Sequence, residues 1–296
     1  MNETNLNQRK SSIGGSEVAA ILGLDNYSSP YQVWLNKTGR GEETEDNKYM
    51  EAGRILESAV AEFFQIRTGY KLIKSSGGTK YTHPDYPFAT GTPDRKYIGS
   101  KIGRSILECK TTQANLDDPL QAWFVQLQWY LGIVGFNNGS IAWLERGVDF
   151  KYREYEFDSE FFNYVMDIVA DFWTNNVQKD IPPEPINVED LNRMYKRHRE
   201  GDFIQATDEI KVTCDLLKSI NEQLKELEQK KEDYINSLKM VMRDAEGIVL
   251  GQIPLVTWKT SKPSLIFDKD RFKLENPELY SNYLIEKEGT RRFLIK

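Results

Sequence analysis

The sequence predicts a mixed α/β fold (α+β), in which a central β-sheet is flanked by helices. Apolar residues recur at helical spacing in several segments, and short strand-like runs alternate with these helices after residue 70. A proline-rich break at 181–185 separates this body from a part dominated by one long amphipathic segment. We therefore predict a core domain over 1–180. Residues 181–296 are expected to form a C-terminal helical arm and terminal strands that pack on the core.

Composition indicates a globular chain. The 296 residues include 39% hydrophobic and 12% aromatic residues, enough for one large domain with additions or for two domains. The sequence has no run of about 18 apolar residues, and its polar N-terminus lacks the apolar middle of a secretory signal. We therefore expect a cytoplasmic protein with no membrane partner.

The net charge and the two cysteines limit the partners and metal centres that the sequence can support. The formal net charge of −6 argues weakly against a nucleic-acid partner, but a nuclease concentrates carboxylates at its site and places Lys and Arg along its groove. The two cysteines, Cys109 and Cys214, give neither a disulfide framework nor a zinc spacing. An iron–sulfur cluster would need about four thiolates.

Two short helices are predicted near the N-terminus. The segment Ile13 to Gly23 reads as a helix with Ser16 as its N-cap and Gly23 at its end. Ser16, which follows two glycines, is either an ordinary cap or part of a phosphate-binding helix N-terminus, with Arg9 a few residues upstream. A second helix begins at Ser29-Pro30, where a cap precedes a proline in the first turn.

A longer helix is predicted from Met50 to Thr68, and Gly69 ends it. Glu57 lies between apolar positions of this helix, so its side chain faces either the solvent or the interior. An inward carboxylate requires a partner or a metal ion. Spacing alone favours neither orientation.

Strand-like runs follow, with helices between some of them. The predicted strands are 70–73, 88–92, 96–98, 105–110, 140–145 and 152–157, and the predicted helices are 118–136 and 161–177. This order predicts a mixed sheet with helices on its faces.

The stretch that ends at Lys110 carries the clearest chemical signal. Strand residues alternate between faces, so Glu108 and Lys110 point the same way and Cys109 points to the other side. A turn over 99–104 folds the preceding strand back and brings Asp94 beside Glu108. Two close carboxylates repel each other unless a cation lies between them, and such hard oxygen ligands suit Mg²⁺ or Mn²⁺.

The E-x-K triplet is weak by itself, because it recurs at 209–211 and 228–230. Both of those copies lie in or at the edge of the long amphipathic segment, where residues two apart on a helix do not share a face. Gln126, on the helix after the first triplet, either satisfies local backbone groups or orients a water or a phosphate.

The C-terminal part contains three further features. A basic run with an aromatic residue inside it, 193–199, either binds a DNA backbone or forms a solvated helix face. The segment Ile210 to Met242 has apolar residues at sevenfold spacing and predicts a long helix that packs on its own domain or on a neighbour. The tail is expected to form strands at 248–260 and 290–296 and a short helix near 277–284.

Five short motifs follow one another along the chain: Ile13-Gly14-Gly15-Ser16-Glu17, Gly53-Arg54-Ile55-Leu56-Glu57, Gly91-Thr92-Pro93-Asp94, Glu108-Cys109-Lys110 and Gln126-Leu127-Gln128-Trp129-Tyr130. Together they resemble the YqaJ and lambda-exonuclease family of viral (phage) recombination nucleases, a branch of the PD-(D/E)xK superfamily with a restriction-endonuclease-like core. Each motif is weak alone, but their occurrence in this order is specific, and the resemblance covers most of the chain.

The resemblance implies a metal-dependent nuclease site. Asp94, Glu108 and the backbone carbonyl of Cys109 would hold one Mg²⁺, and Glu57 would help to hold a second, with Mn²⁺ able to substitute. Two metal ions stabilise both the nucleophile and the leaving oxygen. Lys110 would orient or activate the attacking water and stabilise charge at the phosphorus.

The resemblance implies roles for three more residues, one in the site and two in substrate binding. Gln126 would support the site, and Arg9 and Ser16 match positions that bind the 5′-terminal phosphate of DNA. The family digests one strand of linear double-stranded DNA from its 5′ ends inside a bacterial host cell, leaving 3′ overhangs for single-strand annealing. The resemblance therefore implies an annealing protein as partner and a homo-oligomer, by resemblance a trimeric ring.

Two alternatives stay open. The same fold could serve a structure-specific or restriction-type endonuclease, or a non-catalytic DNA-binding protein. The complete set of Glu57, Asp94, Glu108 and Lys110 argues against the second, because a module without catalysis has no physical need for clustered carboxylates.

Overall fold

The chain folds into two units, Met1–Met194 (unit 1) and Tyr195–Lys296 (unit 2), in a computed structural model. The structure describes residues 11–41, 46–73, 78–99, 103–287 and 289–296. Arg9 and residues 100–102 of the predicted turn lie outside the described residues. Within those ranges, the structure contains no helix with both the length and the apolar composition needed to cross a bilayer.

Helices and strands alternate through unit 1. Its described helices are α1 (Gly15–Ile21), α2 (Pro30–Lys37), α3 (Lys48–Thr68), α4 (Gln121–Val134), α5 (Ser159–Asp171) and α6 (Val188–Met194). Its described strands are β1 (Lys71–Leu72), β2 (Tyr81–Thr82), β3 (Thr90–Gly91), β4 (Arg95–Gly99), β5 (Gly103–Thr112), β6 (Asn138–Glu145) and β7 (Asp149–Glu156). A π-helical turn, Phe172–Val177, continues α5.

A five-stranded sheet in the order β1-β4-β5-β6-β7 forms the centre of unit 1. Strand β5 is antiparallel to β4 and parallel to β6, and the other pairs are antiparallel. The parallel pair requires a crossover connection, which α4 supplies. This arrangement confirms the predicted mixed sheet flanked by helices.

Two apolar clusters cover the two faces of this sheet. On one face, residues of α1, α2, α4 and α5 pack with Ile106, Ile141 and Trp143. On the other face, α3 packs with Leu107 and Cys109. The strand residues therefore alternate between the clusters with the period of two that a sheet buried on both faces requires.

Local signals explain most helix ends. The Ser29 hydroxyl accepts a hydrogen bond from Gln32 N at 3.0 Å, so the predicted cap of α2 is present. Gly69 ends α3 with φ of 72°, in the left-handed region that glycine adopts without strain.

The predicted cap of α1 at Ser16 is wrong. The helix begins at Gly15, because the Glu17 carboxylate reaches back and accepts a hydrogen bond from Gly14 N at 2.9 Å. Glu17 thereby satisfies a free N–H group at the helix start. Ser16 lies within the first turn, and its side chain is exposed.

The unit boundary falls after α6, whereas the sequence places it at the proline-rich break. Helix α6 is attached to α2 of unit 1 by two polar contacts. The buried Asp190 carboxylate accepts a hydrogen bond from the Ser29 hydroxyl at 2.7 Å, and Arg193 donates to Gln32. The packing of the residues after 194 on the core stays a prediction.

Unit 2 is built on a single long helix. It contains α7 (Asp208–Met242), a hairpin of β8 (Gly247–Leu250) and β9 (Ile253–Thr257), and two short helices, α8 (Lys269–Glu275) and α9 (Pro277–Asn282). The predicted strand at 290–296 is wrong, since these residues have no regular structure. An extended segment is a strand only when its backbone groups pair with a neighbour, and the structure describes no strand pairing for this segment.

Close packing of α4 on α5 gives a test of the fold. A methyl group on Gly132 would overlap the buried Phe162 ring, so we expect Gly132→Ala to lower the free energy of unfolding by about 1–3 kcal/mol. Urea denaturation measures this change. Combining it with Phe162→Leu should restore part of the loss.

Gly53→Ala is the matched control, because Gly53 also lies inside a helix. A methyl group there would lie 3.8 Å from Thr111 Oγ1, an ordinary contact. We expect no loss, and a gain of up to about 1 kcal/mol from the better helix propensity of alanine. Equal effects of the two substitutions would contradict the assigned α4–α5 packing.

Candidate active site

The central strand β5 presents its polar residues to one face of the sheet. Leu107 and Cys109 lie in the apolar cluster under α3, whereas Lys110 reaches Gln126 on α4. Glu108 shares the face of Lys110 and is fully buried. The predicted alternation of Glu108, Cys109 and Lys110 is therefore confirmed.

The hairpin of β4 and β5 places Asp94 beside Glu108. Arg95 pairs with Leu107 in the antiparallel register, so the preceding residue, Asp94, lies next to Glu108. Asp94 Oδ2 accepts a hydrogen bond from Cys109 N at 2.8 Å, and Asp94 N donates to Glu108 Oε1 at 3.3 Å. Backbone groups of each strand thus hold the carboxylate of the other.

Lys110 connects the carboxylates to α4. Its ammonium Nζ lies 3.2 Å from Glu108 Oε2 and donates to Gln126 Oε1 at 2.8 Å. Gln126 Nε2 in turn donates to the Tyr130 hydroxyl at 3.0 Å. Gln126 therefore positions Lys110 in this structure through one end of its amide, while Tyr130 fixes the other end.

Tyr130 is held between two glycines. A methyl group on Gly15 of α1 would overlap the Tyr130 ring, and one on Gly91 of β3 would lie 2.8 Å from Tyr130 Cδ1. Both glycines are therefore required for close approach to the ring. This packing brings the start of α1 against the residue that supports Gln126.

Arg95 is a site residue that the sequence did not reveal. Arg95 Nη1 lies 2.5 Å from Glu57 Oε1 of α3 and donates to the Asp94 carbonyl at 2.7 Å. Glu57 therefore faces the site, but its charge is compensated by Arg95. The position of Arg95 directly after Pro93-Asp94 could have suggested a site residue, although nothing in the sequence indicates that Glu57 is its partner.

Burial and mutual repulsion dominate the electrostatics of the pair. Burial raises the pKa of Glu108 to about 8, and the Asp94 charge adds to this effect while Lys110 opposes it. Burial likewise raises the pKa of Asp94. For Lys110, burial lowers the pKa, but the Glu108 and Asp94 carboxylates outweigh it and raise the pKa overall. Lys110 is therefore a cation at neutral pH.

Two side chains of the site fit a hard divalent cation. Glu108 Oε2 is buried and accepts no aligned hydrogen bond from a described residue, and a cation beside it and Asp94 would relieve their repulsion. No third acidic, histidine or cysteine side chain of the described residues converges with them. Across the described ranges, no three His, Cys, Asp or Glu side chains form a metal-binding cluster, and Glu57 is paired with Arg95.

The predicted phosphate-binding residues are only partly described. Ser16 is exposed one residue after Gly15, the glycine that contacts Tyr130. Close by, Glu17 Oε2 accepts a hydrogen bond from Lys37 Nζ at 2.7 Å. The exposed hydroxyl of Ser16 is therefore the group that could contact a phosphate.

The raised pKa of Glu108 predicts a pH-dependent stability of the metal-free protein. Between about 4.5 and 8 the folded protein keeps a proton on Glu108 that the unfolded chain releases. Stability therefore falls as pH rises through this window, with a contribution of about 1.4 kcal/mol per pH unit at most. Glu108→Gln removes this contribution, which urea denaturation in EDTA at several pH values would measure.

Glu62→Gln on the same protein is the control, because Glu62 is an exposed carboxylate on α3. We expect it to leave the pH dependence unchanged. If Glu108→Gln has the same slope as the wild type, then Glu108 is ionised throughout this window and the assigned electrostatics are wrong.

Comparison with known proteins agrees with the motifs. The YqaJ-like viral recombinase domain matches residues 5–137, which include β5 and α4. Two crystal structures are similar over part of the chain. An alkaline exonuclease from Laribacter hongkongensis is 16% identical with a TM-score of 0.48, covering 65% of this chain and 97% of that chain. A phage-related exonuclease from Haemophilus somnus 129PT is 15% identical with a TM-score of 0.46, covering 57% and 95%.

A relative matches nearly the full length. The YqaJ protein of Bacillus subtilis strain 168 is 32% identical over 305 residues, which span 98% of this chain and 92% of that protein. Because this relative is 32% identical in an alignment that covers 98% of the chain, the chain belongs to the YqaJ-like viral recombinase family.

Proposed function

We propose that this protein is a Mg²⁺-dependent exonuclease that degrades one strand of linear double-stranded DNA from its 5′ ends. The product would be a duplex with 3′ single-stranded overhangs for recombination by single-strand annealing. The observation that carries the proposal is the pair of the half-buried Asp94 and the fully buried Glu108, with the Lys110 ammonium beside it. Membership in a viral recombinase family supports DNA as the substrate.

The roles of the site residues follow from their contacts. Asp94 and Glu108, with the carbonyl of Cys109, would hold one cation, and the Cys109 N–H fixes the Asp94 carboxylate for this purpose. A bound Mg²⁺ supplies Lewis-acid polarisation and lowers the pKa of water. Lys110 keeps its proton, so it would stabilise negative charge on the phosphate and orient the water. Gln126 aims the ammonium by accepting its hydrogen bond.

A second cation would involve Glu57. Because Arg95 pairs with Glu57 in this structure, a second Mg²⁺ has to compete with the guanidinium for the carboxylate. Mn²⁺ is expected to substitute, since it accepts the same oxygen ligands.

The wider context is proposed on family membership. We expect the protein to act on DNA ends in the cytoplasm of a bacterial host cell, beside a single-strand annealing protein. A homo-oligomer, with a trimeric ring as the specific expectation, is checked by light scattering of the purified protein.

A time course on linear duplex DNA labelled at either the 5′ or the 3′ end tests the activity. With Mg²⁺ we expect nucleotides to be released from the 5′ strand, and with EDTA we expect none. Asp94→Ala and Lys110→Ala should each lower the rate by at least about 100-fold, because they remove a cation ligand and the charge that faces the phosphate.

Lys211→Ala is the matched control, since Lys211 belongs to an E-x-K triplet in α7 and should leave the rate unchanged. Full activity of Lys110→Ala would remove the proposed site. Cleavage of covalently closed plasmid as fast as linear duplex would instead support a structure-specific or restriction-type endonuclease.

The role of Ser16 has its own test. We propose that its exposed hydroxyl contacts the 5′-terminal phosphate, because the packing of Gly15 on Tyr130 places α1 beside the residues that hold Lys110. Ser16→Ala should reduce the preference for 5′-phosphorylated over 5′-hydroxyl duplex by about 10- to 100-fold, the loss of one hydrogen bond to a charged group. Initial rates on the two substrates measure this ratio.

Ser219→Ala, an exposed substitution on α7, is the control and should keep the wild-type ratio. If Ser16→Ala also keeps that ratio, the hydroxyl has no part in phosphate binding. The predicted role of Arg9 stays a proposal on the family resemblance alone.

A further inference from the structure

Unit 2 contains a cleft lined by basic residues. Two segments that are far apart in sequence form its walls: the loop after α6 and the C-terminal tail. The described lining residues are Lys196, Arg197, His198, Glu286, Lys287, Gly289, Thr290 and Arg291, around a cavity of about 660 Å³. We refer to these residues as the basic cleft.

The basic cleft concentrates positive charge in an acidic protein. Four of its described lining residues are Lys or Arg and one is Glu, whereas the whole chain has a formal net charge of −6. Like charges repel one another, so an arrangement that collects them around a cavity favours an anionic ligand. Three residues of the basic run, Lys196, Arg197 and His198, thus line the same cavity as the tail.

A hydrogen bond holds the two walls together. Arg291 Nη1 donates to the Tyr195 carbonyl at 3.0 Å, which joins the tail to the first residue of the loop. This contact uses one of the five N–H donors of the guanidinium. The guanidinium has further donors, and its planar geometry suits phosphate oxygens.

The dimensions and the aromatic neighbour indicate a single strand. A cavity of this size accommodates a ligand of about one or two nucleotides and cannot enclose a duplex. Tyr195, which precedes the lining residue Lys196 and whose carbonyl holds Arg291, is 50% exposed, and an exposed aromatic side chain can stack with an unpaired base. Phosphate contacts from Lys and Arg combined with base stacking are the usual means of binding single strands.

We propose that the basic cleft binds the backbone of single-stranded DNA. The inference rests on the proposed function in one respect, because the exonuclease reaction would produce the single strand that this cleft takes. Binding itself requires no catalysis, so it can be measured separately.

Fluorescence anisotropy of the full-length protein in EDTA tests this proposal. The probes are a 5′-hydroxyl oligothymidylate of about 20 nucleotides and a blunt duplex of equal length. EDTA prevents hydrolysis, and the 5′-hydroxyl removes any contribution from a terminal phosphate.

The informative variant is Lys196→Ala combined with Lys287→Ala, one residue from each wall. We expect it to weaken binding of the single strand by about tenfold at low salt. The slope of log K against log salt should fall by about 1.4, which is the value for two lost phosphate contacts. Arg291 is left unchanged because it holds the tail to the loop.

Lys218→Ala combined with Lys225→Ala is the matched control. It removes the same charge from exposed positions of α7, outside the basic cleft, and should leave both affinity and salt slope unchanged. Equal affinity of the cleft variant and the wild type, or equal losses in cleft variant and control, would overturn the proposal. So would an equal loss for the duplex probe.

The nuclease assay keeps the two proposals distinguishable. If the wild type releases no nucleotides from linear duplex in Mg²⁺, the proposed function fails, yet the anisotropy difference still decides the role of the cleft. If the cleft variant binds as tightly as the wild type while the enzyme is active, only the cleft proposal fails.

Discussion

Two carboxylates buried side by side can both ionise only when positive charge lies close to them. This constraint shapes unit 1. Asp94, directly before β4, lies next to Glu108 on β5, and Lys110 is the cation that the chain itself supplies. A protein that needed only stability would be served better by apolar residues at these positions. The pair is therefore a local cost to the fold, which the proposed cation would offset.

The polar site depends on close packing some distance away. Lys110 is aimed by Gln126, Gln126 is fixed by Tyr130, and the Tyr130 ring fits only because Gly15 and Gly91 lack side chains. Four of the sequence motifs, on α1, β3, β5 and α4, are thus joined by one series of contacts. A small side chain at either glycine would push the Tyr130 ring, and through Tyr130 and Gln126 it would displace the Lys110 ammonium without touching it.

Periodicity was sufficient to predict the mixed sheet and the shared face of Glu108 and Lys110, because these depend on local backbone geometry. Contacts between distant residues were not predictable. The pairing of Glu57 with Arg95 spans 38 residues, and the bond that attaches α6 to unit 1, Ser29 to Asp190, spans 161. The start of α1 was misplaced because serine is a favoured N-cap residue. In the structure the Glu17 carboxylate accepts the hydrogen bond from Gly14 N, and the helix begins at Gly15. The predicted strand at 290–296 lacks a described partner.

The parallel pairing of β5 with β6 also sets the order in which the site can assemble. The two strands cannot pair until the crossover through α4 is complete, since a tight turn cannot join parallel strands. A chain emerging from the ribosome with only β4 and β5 carries both acids and the lysine, but it lacks Gln126 of α4, which accepts the hydrogen bond of the lysine. The β4–β5 hairpin can bring the two carboxylates together early, but the contact of Lys110 with Gln126 forms only once α4 is in place.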